Sequence, residues 1–270
     1  SIPKIIHQSY ISWNRLTPVM QRAVARTQAL ALTSGWRYRF YDDHACRQYI
    51  GEHVPWMLET YDHLIPGAFR ADIFRYCVLL IDGGVWLDIT DTAAPWIKDM
   101  TMLIPEHAQF VAATEGQGIC ACHAEIGRPT KDCYPAIFQA LLASIPGSPT
   151  LKQALMMIHN GHLSRDRPLW HKGSYACLGV TGPVLLGNAV HAIPPDRAIW
   201  YQGIARRGGL DIHDWVGNLL IQCGTSASTG NHYKSQYDNR VIWRRPRAVT
   251  HCDNRDRSKY KTNTSNAIPQ

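Results

Sequence analysis

Arg70-Ala71-Asp72-Ile73-Phe74-Arg75-Tyr76, followed by Gly83-Gly84-Val85-Trp86-Leu87-Asp88-Ile89-Thr90-Asp91, is the stretch that decides the fold. Phe69, Ile73, Tyr76, Cys77 and Leu80 recur at helical spacing, which predicts a helix from Ala68 to Ile81. Gly83-Gly84 stops it. Val85 to Ile89 is an apolar run that predicts a strand, and acidic and hydroxyl residues close it. Toward the N-terminus, Pro3 to Gln8 forms a short buried strand and Pro18 to about Leu32 a helix. Trp36 to Tyr41 alternates aromatics with arginine, as a strand does, and Asp42-Asp43 then caps a helix from His44 to Ile50. Strands alternating with helices predict an α/β fold with a mostly parallel sheet. Further on, a strand is expected over Gln109 to Ala113, helices over Ala136 to Ser144 and Pro149 to Ile158, and a turn at Thr181-Gly182-Pro183 before another helix. The chain is polar from about Asp253, so a domain over 1–252 with a loosely ordered tail, 253–270, is expected.

The composition excludes several classes. The chain has 270 residues, 45% of them hydrophobic, with nine Trp and twelve Tyr; that is too apolar and aromatic for a disordered chain. No apolar run approaches the roughly 20 residues of a membrane-spanning helix. Ser1-Ile2-Pro3-Lys4 shows no signal peptide, although a sequence trimmed of an anchor would look the same. A net charge of +7 suggests an anionic partner. The cations are scattered, however, with one dense cluster at Arg244, Arg245 and Arg247, and no nucleic-acid-binding motif accompanies them. Cys120-x-Cys122 lacks the second pair of a zinc site, and Cys77 sits in an apolar helical pattern as a small buried hydrophobe.

Chemistry is expected around the opening stretch. Arg70, Asp72 and Arg75 lie within about one and a half helical turns. Alone, they are an ion pair on a solvated face, which contributes little. The strand that follows delivers Asp88 and Asp91 to its carboxyl end, where open α/β sheets bind ligands. Hard cations such as Mg²⁺ and Mn²⁺ take carboxylates together with substrate phosphates.

Ile2-Pro3-Lys4-Ile5-Ile6-His7-Gln8, Trp36-Arg37-Tyr38, Tyr41-Asp42-Asp43, the Arg70–Tyr76 segment and Gly83-Gly84-Val85-Trp86-Leu87-Asp88 together resemble the glycosyltransferases that contain the sugar-binding DXD motif. Within them the chain looks like family 32, the initiating α-1,6-mannosyltransferase and capsular polysaccharide type. The resemblance covers roughly the first hundred residues; Thr181-Gly182-Pro183 fits a later feature. It implies a GT-A fold, a single domain on a Rossmann-like nucleotide-binding sheet. It also implies transfer of a sugar from a nucleotide-sugar donor, a GDP- or UDP-sugar, with retention at the anomeric carbon and Mn²⁺ or Mg²⁺ as cofactor. The acceptor classes are glycan, glycolipid or glycoprotein, with peripheral membrane association an option. The alternative is a non-catalytic relative that binds a sugar nucleotide or glycan. A bacterial or viral cytosolic enzyme is expected, or a Golgi luminal domain if an anchor was trimmed.

By this resemblance the DXD falls on Asp88-Ile89-Thr90, so Thr90 stands where the family has its second Asp. Asp88 is expected at the ribose or metal, and either Asp91 or the Thr90 hydroxyl would complete the metal ligands. Arg70 and Asp72 are expected as donor contacts with catalytic roles, the alternative for Asp72 being to orient Arg70 or Arg75, and Arg75 is expected as structural. His7, Gln8 and Tyr10 follow the first strand, where a base commonly docks, and Tyr10 or Trp13 could stack on it. A late histidine near the diphosphate would be His232, in Gly230-Asn231-His232-Tyr233, with His251 as the other candidate. No lone carboxylate presents itself as a nucleophile. A front-face path therefore fits, with positioning and charge stabilisation supplying most of the catalysis.

Overall fold

The computed structural model describes residues 1–65, 67–115, 134–163, 176–206 and 209–224. The first half alternates strand and helix: β1 (Ile5–Ser9), α1 (Pro18–Thr33), β2 (Arg37–Tyr41), α2 (Asp43–His53), α3 (Leu58–His63), α4 (Gly67–Ile81) and β3 (Gly84–Leu87). Then come β4 (Thr92–Ala93), β5 (Phe110–Thr114), β6 (Ile137–Ser144), α5 (Pro149–Leu163) and α6 (Pro183–Ala192). A curl of β7 (Ala198–Arg206), β8 (Gly209–His213) and β9 (Leu219–Gln222) closes the described chain. Caps form where the sequence puts them: Thr17 accepts from the Met20 N–H ahead of α1, and Asp42 accepts from the Ala45 N–H ahead of α2.

One nine-stranded sheet, in the order β2-β1-β3-β6-β5-β7-β8-β9-β4, is the centre of the molecule. Helices α2 to α6 pack on one face around Tyr76, Trp86, Phe110 and Leu142. Helix α1 and the segment through Ile97 and Leu103 cover the other face, around Val85, Val111 and Leu141. This is the expected α/β class, with a Rossmann-like β1-α1-β2 start: β1 pairs parallel with both β2 and β3. Beyond β3 the sheet is mixed. Strand β6 lies antiparallel to both β3 and β5, and β5 pairs parallel with β7. The parallel character therefore belongs to the β2-β1-β3 half and to the β5–β7 pair.

Two local expectations change. Residues 137–144 form a strand, not a helix. The run Ile-Phe-Gln-Ala-Leu-Leu-Ala-Ser has helix-favouring composition, yet as a central strand buried on both faces it shows no alternation. Helix α4 is not amphipathic. Phe69 and the run from Asp72 to Leu79 are all buried, because α4 is sandwiched between the sheet and α5. The stretch 225–270, which holds the expected tail, lies outside the described residues.

Candidate active site

The site is assembled at the carboxyl end of β3. Asp88 follows the last residue of that strand, and its N–H donates to the Ala140 carbonyl of β6 at 2.9 Å. The side chain is held by one oxygen: Arg75 Nη2 and Trp86 Nε1 donate to Oδ1 at 3.0 and 2.8 Å. With 40% of the side chain exposed, Oδ2 remains available to a ligand. Gln8 Nε2 donates to the Asp88 carbonyl at 3.1 Å, and the Tyr38 hydroxyl donates to Gln8 Oε1 at 3.0 Å. Residues from β1, β2 and β6 thus fix the Asp88 main chain, and residues from β3 and α4 fix its carboxylate.

Arg75 is the hub. It is 6% exposed, donates to the Gln139 carbonyl at 2.9 Å and lies 5.1 Å over the Trp86 ring. Its Nη2 sits 3.5 Å from Asp72 Oδ1, and Thr181 donates its hydroxyl to Asp72 Oδ2 at 2.7 Å. Burial works against the Arg75 charge, but the Asp88 and Asp72 carboxylates outweigh it and hold the guanidinium protonated. Burial also pushes the Asp72 carboxyl up to about 6, against the opposing pull of Arg75.

Asp91 is 2% exposed. Its Oδ1 accepts from the Thr90 hydroxyl and the Gly224 N–H, each at 3.1 Å, while Oδ2 is buried without a hydrogen-bond partner. Burial first, and then the nearby Asp88 carboxylate, pushes its carboxyl well above the usual range. Three carboxylates thus gather around one guanidinium, with one orphaned oxygen on Asp91 and one exposed oxygen on Asp88. That donor set suits a divalent cation with hard oxygen ligands. Gly224 allows the arrangement: a Cβ there would lie 2.6 Å from both the Cβ and the carbonyl oxygen of Thr90.

Several expected site residues fall elsewhere. His7 is completely buried. Its Nε2 donates to the Gly83 carbonyl at 2.9 Å, and its Nδ1 lies 3.1 Å from the Tyr41 hydroxyl. Desolvation lowers its pKa to about 4, so it is a neutral brace for the Gly83-Gly84 bend and not a donor contact. Gln8, also fully buried with both amide atoms engaged, positions Asp88 and does not meet a base. Asp72 is corrected in the same way: both its oxygens face internal partners, so it positions Arg75. Arg70 is not in the Asp88 cluster. It points toward Asp43 at 3.5 Å and the Tyr61 ring at 5.9 Å. On α4, residues 70 and 75 are about 140° apart around the axis, so the two arginines cannot share a face. His232 and His251 lie outside the described residues.

Tyr10 and Trp13, each equally open to stacking on a base or to a place in the core, are half-buried and exposed respectively. Tyr10 packs beside Phe40 and Ile89 on the Leu16–Met20–Val24 cluster, and Trp13, 48% exposed, meets Phe40 edge-on with ring centroids 5.0 Å apart. The sequence reading did not reach Trp86, Gln139 or Gly224 as site residues. For Trp86, its place two residues before Asp88 was the available signal, because side chains two apart on a strand share a face.

Residues 7–110 match the family described as glycosyltransferase sugar-binding region containing DXD motif. Inositol phosphoceramide mannosyltransferase 3 of Schizosaccharomyces pombe is 32% identical over 90 residues, 33% of this chain and 24% of that protein. A mannosyl phosphorylinositol ceramide synthase of Saccharomyces cerevisiae is 34% identical over 90 residues, 33% of this chain and 23% of its own. The chain therefore aligns with about a quarter of the length of these curated relatives. Among solved structures, the PaToxG glycosyltransferase superposes with a TM-score of 0.41 at 14% identity, covering 72% of this chain and 70% of its own. No helix among the described residues is long and apolar enough to cross a membrane.

Proposed function

We propose that the chain transfers a sugar from a nucleotide-sugar donor to a glycan or glycolipid acceptor, with retention of anomeric configuration. The observation that carries this reading is the half-open Asp88 carboxylate, clamped by Arg75 and Trp86 within a DXD-family region. Asp88 Oδ2 and Asp91 Oδ2 would hold Mn²⁺ or Mg²⁺, with Thr90 tying the Asp91 carboxyl in place. Held by these residues, such a cation would supply the positive charge that a diphosphate leaving group needs as its negative charge develops.

The chain's own residues do the rest. Arg75 and Trp86 keep Asp88 in one rotamer, which sets the reacting geometry in advance. Asp72 and Thr181 hold Arg75. Trp13 and Tyr10 offer an aromatic surface beside the carboxyl end of β1 for the base. Arg70, 26% exposed at the start of α4 and paired with Asp43 outside the Asp88 cluster, would have to leave Asp43 to meet anionic oxygens of the donor. The relatives' names make GDP-mannose the first donor to try and a phosphoinositol-bearing lipid the first acceptor.

The experiment is donor hydrolysis and transfer with GDP- and UDP-sugars, with and without Mn²⁺, in the wild type and Asp88→Ala. The expected result is Mn²⁺-stimulated release of nucleoside diphosphate from one donor, lost by at least 10²-fold in Asp88→Ala. Donor binding without release by the wild type would favour the non-catalytic alternative. Full turnover by Asp88→Ala would remove the site.

A further inference from the structure

We propose that Glu59, His63 and His162 form a second metal site, of zinc-binding character, separate from the carboxylate cluster at Asp88. Glu59 and His63 stand one turn apart on α3, and His162 comes from the last turn of α5. Their ligating atoms all lie within 4.8 Å of one another. The ring centroids of the two histidines are 5.1 Å apart. Two imidazoles on one tetrahedral zinc, with Zn–N near 2 Å, place their centroids about 5 Å apart. Glu59 Oε1 is 3.9 Å from His162 Nε2, and it is also 3.9 Å from His63 Nδ1, the nitrogen on the side of the His63 ring away from its ligating Nε2. Neighbouring ligands on a tetrahedral zinc are about 3.4 Å apart. The Glu59 side chain is 66% exposed, so it has room to close that gap to His162 Nε2, and the ligand atoms of the triad already lie within 4.8 Å of one another.

The surroundings also have the character of a metal site. His63 Nδ1 is 2.8 Å from the Glu59 carbonyl oxygen. A carbonyl only accepts, so Nδ1 carries the proton and Nε2 the lone pair, the second-layer hydrogen bond that orients metal-binding histidines. Helix α3, though short, is held on two sides. Asp62 accepts two hydrogen bonds from Arg47 of α2, at 2.7 and 2.8 Å, and Thr60 Oγ1 lies 3.0 Å from His159 Nδ1 of α5. The two helices that carry the triad are therefore held together before any ion arrives.

Two imidazoles and one carboxylate suit zinc, whereas Mn²⁺ and Mg²⁺ prefer the all-oxygen set at Asp88. Three protein ligands leave a fourth coordination position for water or a ligand oxygen. Bound zinc would clamp α3 to α5 and stabilise the helical layer over α4. This inference does not depend on sugar transfer, and its test does not use it.

The experiment titrates the full chain with zinc against a chromophoric chelator, and with cobalt read by its visible absorption. The wild type, Glu59→Gln, His63→Ala and Asp88→Asn are compared, each checked by circular dichroism without metal. The wild type is expected to take up zinc at this site with a rise in Tm of about 5 °C at saturation, and to give the cobalt band of a nitrogen-containing tetrahedral site. Glu59→Gln should weaken zinc uptake at least tenfold, His63→Ala should abolish the cobalt band, and Asp88→Asn should keep both. Glu59 is exposed, so its variant keeps the test decisive if His63→Ala folds poorly. No zinc uptake by the wild type, undiminished uptake by Glu59→Gln or His63→Ala, or loss of the cobalt band in Asp88→Asn would each overturn the site.

Discussion

Thr181 donates its hydroxyl to Asp72 Oδ2 at 2.7 Å, across 109 positions of sequence. The Thr181-Gly182-Pro183 turn is therefore part of the active-site support as well as the start of α6. The Tyr76 hydroxyl donates to the Thr181 carbonyl at 2.7 Å, and the Gln139 amide reaches the same two groups. Through Asp72 this buried network fixes Arg75, and through Arg75 it fixes Asp88.

Asp72 is expected to make stability fall as pH rises. Its carboxyl is raised to about 6 in the folded chain from an ordinary 3.8, so between those values the folded state holds the extra proton. A shift of this size corresponds to about 3 kcal/mol. Compared with wild type, Asp72→Asn should gain up to about 3 kcal/mol on going from pH 4 to pH 7.5, read by urea unfolding at each pH. A difference that stays flat with pH would refute the ionised, buried Asp72.

His7 is expected to act with the opposite sign. Its folded pKa of about 4 lies below the ordinary 6.5, so the unfolded chain binds the extra proton in that window. Stability is then fully present above about pH 6.5 and is lost as pH falls toward 4. Wild type should lose about 3 kcal/mol against His7→Gln over that descent. The comparison is made by denaturant midpoint at pH 7 and pH 4.

Arg75→Lys should show that the fork is required, not only the charge. One ammonium cannot replace contacts to Asp88, Asp72 and the Gln139 carbonyl together. The expected loss is about 3 kcal/mol of stability and at least tenfold in kcat, with KM for the donor less affected. An Arg75→Lys enzyme with wild-type kcat would contradict the clamp.

Gly224→Ala should act on the metal response. The added methyl meets Thr90 at 2.6 Å and must displace the segment that donates to Asp91 Oδ1. The Mn²⁺ concentration for half-maximal activity is expected to rise about tenfold, a loss comparable to that of altering outer-shell support at metal sites. The reading is a Mn²⁺ titration of donor hydrolysis.

The β1-α1-β2 start, α4 and the double-glycine bend were legible because each carries its own local signal. Asp42 caps, Gly83 and Gly84 take positive φ, and β2 alternates. Asp88 was legible for the same reason, as a carboxylate at a strand's carboxyl end. The partners were not. Arg75 and Asp72 look alike as surface charges on a helical wheel, and only the burial of α4 on both sides turns them inward. His7 and Gln8 resemble ligand contacts by position, yet the pleat and the close β1–β3 pairing spend their polar atoms on Gly83 and Asp88. Strand β6 misled because Ala and Leu favour helices until a central sheet position overrides them.

That strand sets a limit on how the chain can be cut. The DXD-family region ends at residue 110, yet β6, at 137–144, zips up both β3 and β5 from the opposite direction. Its main-chain carbonyls at Gln139 and Ala140 receive Arg75 and the Asp88 N–H. A fragment stopped at 110 would leave β3 with a bare edge and the Asp88 carboxylate without its floor. Chimaeras or truncations meant to borrow this module must carry the residues through Ser144, and those that retain the anchoring of Asp72 must reach Thr181.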